Sequence, residues 1–130
     1  MKKMDLNWLE GWFDDPVSPA SGAGVYVIWH PLGPDNPETV YVGQGQIAQR
    51  LEERRYDGRF VHFRRYDLLV SCAAVPEDQR DGVERYLAHV LAPKVGEKWP
   101  DAEPIVVNLP FTYDVEIATR MLELEAPEDA

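Results

Sequence analysis

The sequence predicts a mixed α/β domain of the α+β type, in which a small three-stranded, mainly antiparallel sheet is flanked by helices. Two patterns of apolar residues indicate this class. Residues 24–30 (GVYVIWH) alternate in the manner of a β-strand, with Val25, Val27 and Trp29 on one face. Residues 77–93 repeat apolar side chains every three or four positions, which is typical of an amphipathic helix.

A second strand and a connecting turn follow the first strand. Residues 39–45 (TVYVGQG) alternate again, so Val40 and Val42 are expected to face away from Tyr41. The turn-rich segment PLGPDNPE between the two strands predicts a hairpin with a long loop. Three further elements are predicted: a short helix at 47–55, a buried strand at 67–75, and a short strand or extended segment at 104–110.

Two more helices are expected outside this core. Leu6, Leu9 and Phe13 fall at helical spacing and predict an N-terminal helix over about 5–13. Residues of about 114–125 predict a C-terminal helix, which is followed by an acidic tail. No interdomain linker is evident, so residues 1–130 are predicted to form a single domain.

The composition limits the classes of protein to which the chain can belong. The chain has 130 residues, of which 45% are hydrophobic, enough for one domain with its own core. Cys72 is the single cysteine, which excludes an internal disulfide and a metal site built on several thiolates. The sequence shows no apolar leader and no run of about 18 apolar residues. We therefore expect a cytoplasmic protein that does not span a membrane.

The charge distribution contains one basic segment. The whole chain carries 13 Lys and Arg residues against 23 Asp and Glu residues, a formal net charge of −10, which is unusual for a nucleic-acid binder. Residues 46–70, however, are net +2. Six arginines lie there: Arg50, Arg54, Arg55, Arg59, Arg64 and Arg65. They either form a strip that contacts phosphates or pair with neighbouring acids on a solvated helix.

Two tripeptides and the residues after them resemble the GIY-YIG nuclease family. GVY at 24–26 and YVG at 41–43 are similar to the family's paired signature. Three residues follow at the family's places, in its order: Arg50, Glu84 and Asn108. The resemblance covers about 22–110 and implies a GIY-YIG-like fold.

The resemblance also implies an activity and a set of site residues. The activity is hydrolysis of nucleic-acid phosphodiester bonds by an endonuclease that uses a single Mg²⁺ or Mn²⁺ ion, with DNA as the expected substrate. Four residues are implied as catalytic: Tyr26, Tyr41, Arg50 and Glu84, with Glu84 also holding the metal. Four others are expected to contact substrate: Arg54, Arg55, His62 and Asn108. Gly24 and Gly43 are the structural glycines of the motif.

The chemistry of these residue types agrees with such a reaction. Phosphodiester hydrolysis needs an activated water, neutralisation of charge on the phosphorane and protonation of the leaving oxygen. A carboxylate such as Glu84 suits Mg²⁺, and the planar fork of Arg50 suits a phosphate oxygen. We expect the four catalytic residues to converge at one end of the hairpin. Glu84 is expected to be the only carboxylate at the metal, because the acids at 77, 78 and 81 are assigned to other helix faces or to the helix start.

A second function stays open from the sequence. Arg54 stands where the family often has a histidine, and the acidic net charge disfavours a strong nucleic-acid binder. The chain is therefore either an active nuclease or a catalytically inactive module of the same fold that binds nucleic acid or protein. The sequence does not decide between DNA and RNA, and it gives no oligomeric state.

Overall fold

Four antiparallel strands form the central sheet of the computed structural model, in the spatial order Leu9–Trp12, Leu69–Ala74, Ala23–Gly33 and Asn36–Gln46. The structure describes residues 3–15, 22–96, 98–111 and 115–125. Its elements are β1 (Lys3–Met4), β2 (Leu9–Trp12), β3 (Ala23–Gly33), β4 (Asn36–Gln46), α1 (Ile47–Arg55), a 3-10 helix (Gly58–Arg65), β5 (Leu69–Ala74), α2 (Glu77–Leu91), β6 (Val106–Val107) and α3 (Val115–Glu125). The α+β class is confirmed, although the sheet has one strand more than predicted.

Strand β3 is buried on both faces because helices cover both sides of the sheet. Val25, Val27 and Trp29 pack with α2 and α3 on one side, which we call the α2 side. Tyr26 and Ile28 pack with α1 and the 3-10 helix on the other, the α1 side. The alternation predicted for this strand is thus confirmed, and each side has its own hydrophobic core.

The hairpin of β3 and β4 differs from the one predicted. Its two strands run for eleven residues each, and Gly33 pairs with Asn36 across a tight turn instead of a long loop. Asp35 makes that turn with a φ of 54°, a conformation that aspartate tolerates better than most residues. The proline-rich composition of the segment concealed its strand pairing.

A β-bulge at Val40 turns Tyr41 toward the α1 side. Ile28 pairs with Tyr41, but the next residue of β3, Trp29, pairs with Thr39, so Val40 is an extra residue in β4. Val40 and Tyr41 consequently both contact the core of the α1 side, while Val42 packs on the α2 side. The expectation that Val40 and Val42 share one face was wrong, because strict alternation does not allow for a bulge.

The predicted N-terminal helix over 5–13 is also wrong. Leu9–Trp12 is strand β2, which pairs with β5 and forms an edge of the central sheet. Gly11 disfavours a helix, and pairing with β5 satisfies backbone groups that a short helix would leave open. Lys3–Met4 pairs in parallel with Val106–Val107 to make a second, two-stranded sheet.

The remaining helices lie close to where the sequence predicts them. α1 and α3 agree with the prediction, and α2 begins after Pro76 and ends before Pro93, with Ala92 in the left-handed conformation. The 3-10 helix was not predicted. The acidic tail lies at 126–130, outside the described residues. No helix among the residues that the structure describes is both long and apolar enough to cross a bilayer.

Asn108 fastens the N-terminal segment to the end of β6. Its side-chain oxygen accepts a hydrogen bond from the Leu6 amide at 2.6 Å, and its side-chain nitrogen donates to the Leu6 carbonyl at 3.0 Å. The Trp8 indole donates to the Asn108 carbonyl at 2.9 Å. Both ends of the Asn108 amide are therefore used within the fold.

Replacing Asn108 should weaken the fold. Asn108→Ala leaves the Leu6 amide and carbonyl without these partners, so we expect the free energy of unfolding to fall by about 1–3 kcal/mol. Urea denaturation monitored by tryptophan fluorescence measures the change, and Asn7→Ala, at an exposed amide on the same segment, is the control. Equal stabilities of the two variants would mean that this hydrogen-bond pair contributes nothing.

Candidate active site

The candidate residues meet around three residues of β4, Gly43-Gln44-Gly45. Tyr26 pairs with Gly43 across the hairpin, and the Tyr26 ring lies where a side chain at position 43 would be. A Cβ on residue 43 would overlap the Tyr26 hydroxyl and its ring. Glycine at 43 thus lets the Tyr26 hydroxyl extend across β4, which is the last strand of the sheet.

Arg50 lies over the second of these glycines. A Cβ on Gly45 would come within 2.8 Å of Arg50 Nε, and Gly45 has a φ of 125° that strongly favours glycine. Arg50 projects from α1, and its side chain is 46% exposed. Its guanidinium pairs with Glu53 at 3.1 Å, a surface ion pair that a phosphate can readily replace.

Glu84 reaches the same segment through Gln44. The Gln44 side-chain nitrogen donates to Glu84 Oε2 at 2.9 Å and to Asp81 Oδ1 at 2.7 Å. Glu84 is only 8% exposed, although a glutamate side chain in water is charged at neutral pH. Gln44 therefore joins two carboxylates of α2 to the strand that carries the glycines.

Asp81 corrects one expectation from the sequence. Residues three apart on a helix differ by about 60° in direction, so Asp81 and Glu84 lie side by side on α2. The sequence interpretation placed the acid at 81 on another face and left Glu84 as the sole carboxylate. The shared hydrogen bonds from Gln44 show instead that both carboxylates face one place.

The candidate residues approach the edge of β4 from both sides of the sheet. Tyr26 packs on the α1 side, whereas α2, which bears Glu84, packs on the α2 side. Burial is the main cause of the raised pKa of Tyr26, and Glu84 and Arg50 make smaller, opposite contributions to it. The expectation that Glu84 would lie on the same side of the sheet as the tyrosines was therefore wrong, and the residues approach one another only at the edge of β4.

Tyr41 joins the group through Tyr26 and two arginines. The Tyr26 and Tyr41 ring centroids are 6.1 Å apart. Arg54 contacts the Tyr41 hydroxyl at 3.4 Å and lies over its ring, and Arg59 lies over the same ring at 5.8 Å. Trp99 packs against Tyr41 with 6.3 Å between centroids. These aromatic and arginine side chains therefore form a continuous row from the Tyr26 hydroxyl toward the 3-10 helix.

Burial sets the ionisation of the two groups with proton chemistry. Desolvation, followed by the neighbouring Tyr41, raises the pKa of the Tyr26 hydroxyl far above its usual range. Desolvation also raises the pKa of Glu84; the hydrogen bond from Gln44 lowers it, and the Asp81 charge raises it. Tyr26 is consequently protonated at neutral pH and serves as a hydrogen-bond donor, not as a free base.

The residues expected to contact substrate lie in different places. Arg54 is at Tyr41 and so belongs to the group. Arg55 donates to the backbone carbonyls of Phe13 and Asp15 at 2.7 and 3.2 Å, so its guanidinium holds the N-terminal segment. Asn108 is likewise engaged with that segment.

His62 and Gly24 complete the set. His62 lies on the 3-10 helix, where it contacts Phe63 and Arg65. Gly24 lies where β3 meets β5, and a Cβ there would overlap the Ala73 carbonyl, so its role is close strand packing. Gly24 also pairs with Gly45 across the hairpin, so it lies beside the Gly43–Gly45 segment, whereas the contacts of His62 are with its neighbours on the 3-10 helix.

The donor set fits a hard divalent cation held by few protein ligands. Asp81 and Glu84 offer carboxylate oxygens, which Mg²⁺ and Mn²⁺ prefer. The described residues contain no group of three or more His, Cys, Asp or Glu side chains arranged to hold a metal. A cation here would accordingly keep most of its coordination for water and phosphate, as Mg²⁺ does.

Three residues of this region were missed from the sequence. The sequence contains a signal for Gln44 and Asp81, because Gln44 lies between the two glycines and Asp81 precedes Glu84 by three residues, which is less than one helical turn. Trp99 lies in the long segment after α2, which local patterns do not place. It packs on Tyr41 because residues 94 and 95 follow β4, with their amides bonded to the carbonyls of residues 39 and 40.

Substitution of Gly43 should be costly. Gly43→Ala forces the new Cβ against Tyr26, and we expect the free energy of unfolding to fall by about 1–3 kcal/mol as in other overpacked sites. Gly33→Ala is the matched control, since nothing lies within 4 Å of a Cβ there. Thermal unfolding of the two variants measures the difference, and a Gly43→Ala protein as stable as Gly33→Ala would refute the close packing.

The stability of the protein should respond to pH through Glu84. Since the folded state raises the pKa of Glu84, it binds that proton more tightly than the unfolded chain does. This contribution to stability is present below the unfolded value of about 4.3 and is lost as the pH rises through the folded value. Glu84→Gln does not titrate, so its midpoint should exceed the parent's by a few degrees at pH 8 and match it near pH 4.

Differential scanning calorimetry from pH 4 to pH 8 tests this response. Glu10→Gln, at an exposed glutamate of β2, should follow the parent protein at every pH. A constant difference between Glu84→Gln and the parent across this range would contradict the buried carboxylate.

Comparisons of the chain with known proteins found no significant match. No protein-family model, no curated protein and no solved structure is significantly similar to it. The resemblance to the GIY-YIG family therefore stays a hypothesis, which depends on the motif residues and their position around Gly43–Gly45.

Proposed function

We propose that this protein is a metal-dependent endonuclease of the GIY-YIG type, which hydrolyses phosphodiester bonds in nucleic acid, with DNA as the expected substrate. One observation carries the proposal: a tyrosine hydroxyl, an arginine and a buried glutamate meet at a two-glycine segment on an open sheet edge. Tyr26, Arg50 and Glu84 come from three different elements to reach it. These are the group types that phosphodiester hydrolysis needs.

Arg50 supplies the phosphate contact. Its guanidinium is half exposed and pairs with a surface glutamate on the same helix, Glu53. A phosphate oxygen can take the place of that carboxylate, because the planar fork of arginine binds both groups in the same way. Arg54, four residues later, presents a second cation beside Tyr41.

Glu84 and Asp81 would hold the metal. When bound, a divalent ion supplies Lewis acidity that neutralises charge on the phosphate and lowers the pKa of a water. In the protein itself, the Gln44 side-chain nitrogen donates to one oxygen of each carboxylate and so holds the two acids together. Burial of Glu84 limits access of bulk water to the carboxylate.

Tyr26 donates a hydrogen bond in this scheme. Its raised pKa keeps the hydroxyl protonated, so it can orient a water or a phosphate oxygen and pass a proton along, but does not by itself abstract one. Tyr41, under the Arg54 guanidinium, positions the Tyr26 ring from the side.

A non-catalytic binding module is the second candidate. The acidic net charge favours it, and so does the Arg54 guanidinium, which already has Asp57 and Glu53 within 3.4 Å. The catalytic interpretation has better support because neither Arg50 nor Glu84 is locked into a buried ion pair. Glu84 accepts from the neutral Gln44 amide, and the Arg50 pair is solvent-exposed.

Loss of the Glu84 charge should abolish cleavage. Glu84→Gln keeps the shape and the hydrogen bond of the side chain but removes the charge that attracts a cation, so we expect at least about a 100-fold slower reaction. Cleavage of plasmid and labelled oligonucleotides with Mg²⁺ or Mn²⁺ measures it. Asp78→Asn, at an exposed acid of the same helix, is the matched control and should retain full activity.

Two outcomes would overturn the proposal. One is full cleavage by a folded Glu84→Gln protein, which would point to a contaminating nuclease. The other is absence of cleavage by the parent protein on every substrate and with both metals, which would favour the binding module.

A further inference from the structure

A second surface adjoins the candidate active site. Residues 54–66, which we call the arginine-rich segment, contain five arginines and one acid, so they are net +4 on a chain of −10. The segment runs from the end of α1 through the 3-10 helix. Its net charge is thus opposite to that of the chain as a whole, which favours binding of a polyanion here. Four of its arginines also pair with acids, so bound phosphates would compete with those carboxylates: Arg54, Arg55, Arg59 and Arg64.

The arginine-rich segment is firmly attached beside Tyr41. Phe60 is 1% exposed and packs against Phe13 and Tyr41, with centroids 5.9 and 5.7 Å away. Two successive turns fold the backbone: the Asp57 amide donates to the Arg54 carbonyl, and the Phe60 amide donates to the Asp57 carbonyl. Its surface groups therefore keep a fixed position relative to the site.

Two apolar side chains of this segment face solvent. Tyr56 is 83% exposed and Val61 is 71% exposed. Tyr56 lies in the chain between Arg54 and Arg59, both of which contact the Tyr41 ring. An accessible aromatic ring between cations is the combination that single-stranded nucleic acid uses, with bases stacking on rings and phosphates meeting arginines.

We propose that the arginine-rich segment binds unpaired nucleotides, with Tyr56 stacking on a base while Arg59 and Arg65 contact the flanking phosphates. This inference rests on the proposed function for its biological meaning, and it names the substrate class: nucleic acid with a single-stranded stretch next to the scissile bond. Arg59 is 51% exposed and pairs with Asp57 at 2.7 Å, so a phosphate takes the place of that carboxylate. Among the residues that the structure describes, Arg65 donates to the Tyr66 hydroxyl and contacts the His62 ring, neither of which carries negative charge.

The ring at position 56 discriminates unpaired from paired strands. In a duplex the base faces are already stacked on one another, so an exposed tyrosine has no base face to cover except at an end. An unpaired base offers its full face. The arginines alone would bind both forms through phosphates, which is why Tyr56 is the residue that sets the preference.

Fluorescence anisotropy of the full chain tests the inference. Glu84→Gln protein is titrated into a labelled single-stranded oligonucleotide and into the blunt duplex of the same sequence, over a range of salt concentrations. We expect tighter binding to the single strand. Adding Tyr56→Ala should weaken that binding by about 5- to 150-fold at every salt concentration, the effect of losing one stacked base. Tyr56→Phe should keep it.

Matched variants separate stacking from charge. Tyr56→Ala should leave the slope of log affinity against log salt unchanged, whereas Arg59→Ala should reduce that slope by about 0.7. Leu122→Ala, at a side chain 69% exposed on α3, should bind like the parent. Equal losses in Tyr56→Phe and Tyr56→Ala, no loss in Tyr56→Ala, absence of binding, or preference for the duplex would each overturn the inference.

This inference and the nuclease proposal fail in distinguishable ways. Cleavage by the parent protein together with unchanged single-strand affinity in Tyr56→Ala would refute base stacking on Tyr56 and leave the nuclease proposal intact. Tyr56-dependent binding by a parent protein that never cleaves would refute the nuclease proposal alone and leave the arginine-rich segment as a binding surface.

Discussion

Burial of β3 on both faces is the constraint on which the rest of the structure depends. A strand with helices on both sides must satisfy its backbone through its two neighbouring strands, because water is excluded from it. Strands β4 and β5 do this, and they leave β4 as the outermost strand next to α1 and α2. Side chains from both sides of the sheet therefore approach the edge of β4 at Gly43–Gly45.

The candidate active site depends on two glycines, which have no side chain, as much as on its reactive residues. Gly43 and Gly45 clear the space that Tyr26 and Arg50 occupy, and Gln44 between them reaches the α2 carboxylates. The site therefore depends on shape at positions that carry no chemistry. An acidic protein can still present this place to a polyanion, because the arginine-rich segment lies next to it.

The sequence predicted the elements whose patterns are local and missed those that distant pairing creates. Periodicity was enough for α1, α2, α3 and the two faces of β3, and the motif brought attention to Tyr26, Arg50 and Glu84. Strand β2 was predicted as a helix because its partner, β5, is about 60 residues away. The backbone contacts of Arg55 and Asn108 were missed for a similar reason, since a contact with backbone far along the chain leaves no mark in local sequence.

The hydrogen bonds between Leu6 and Asn108 also bear on the order in which the chain folds. These residues are 102 positions apart, and the pairing of Lys3–Met4 with Val106–Val107 spans a similar distance. Closing so long a loop early costs conformational entropy, whereas the β3–β4 hairpin closes over a few residues. During synthesis, residues 3–8 therefore dock late, because Lys3–Met4 and Trp8 have their partners at 106–108, about 100 residues further along the chain.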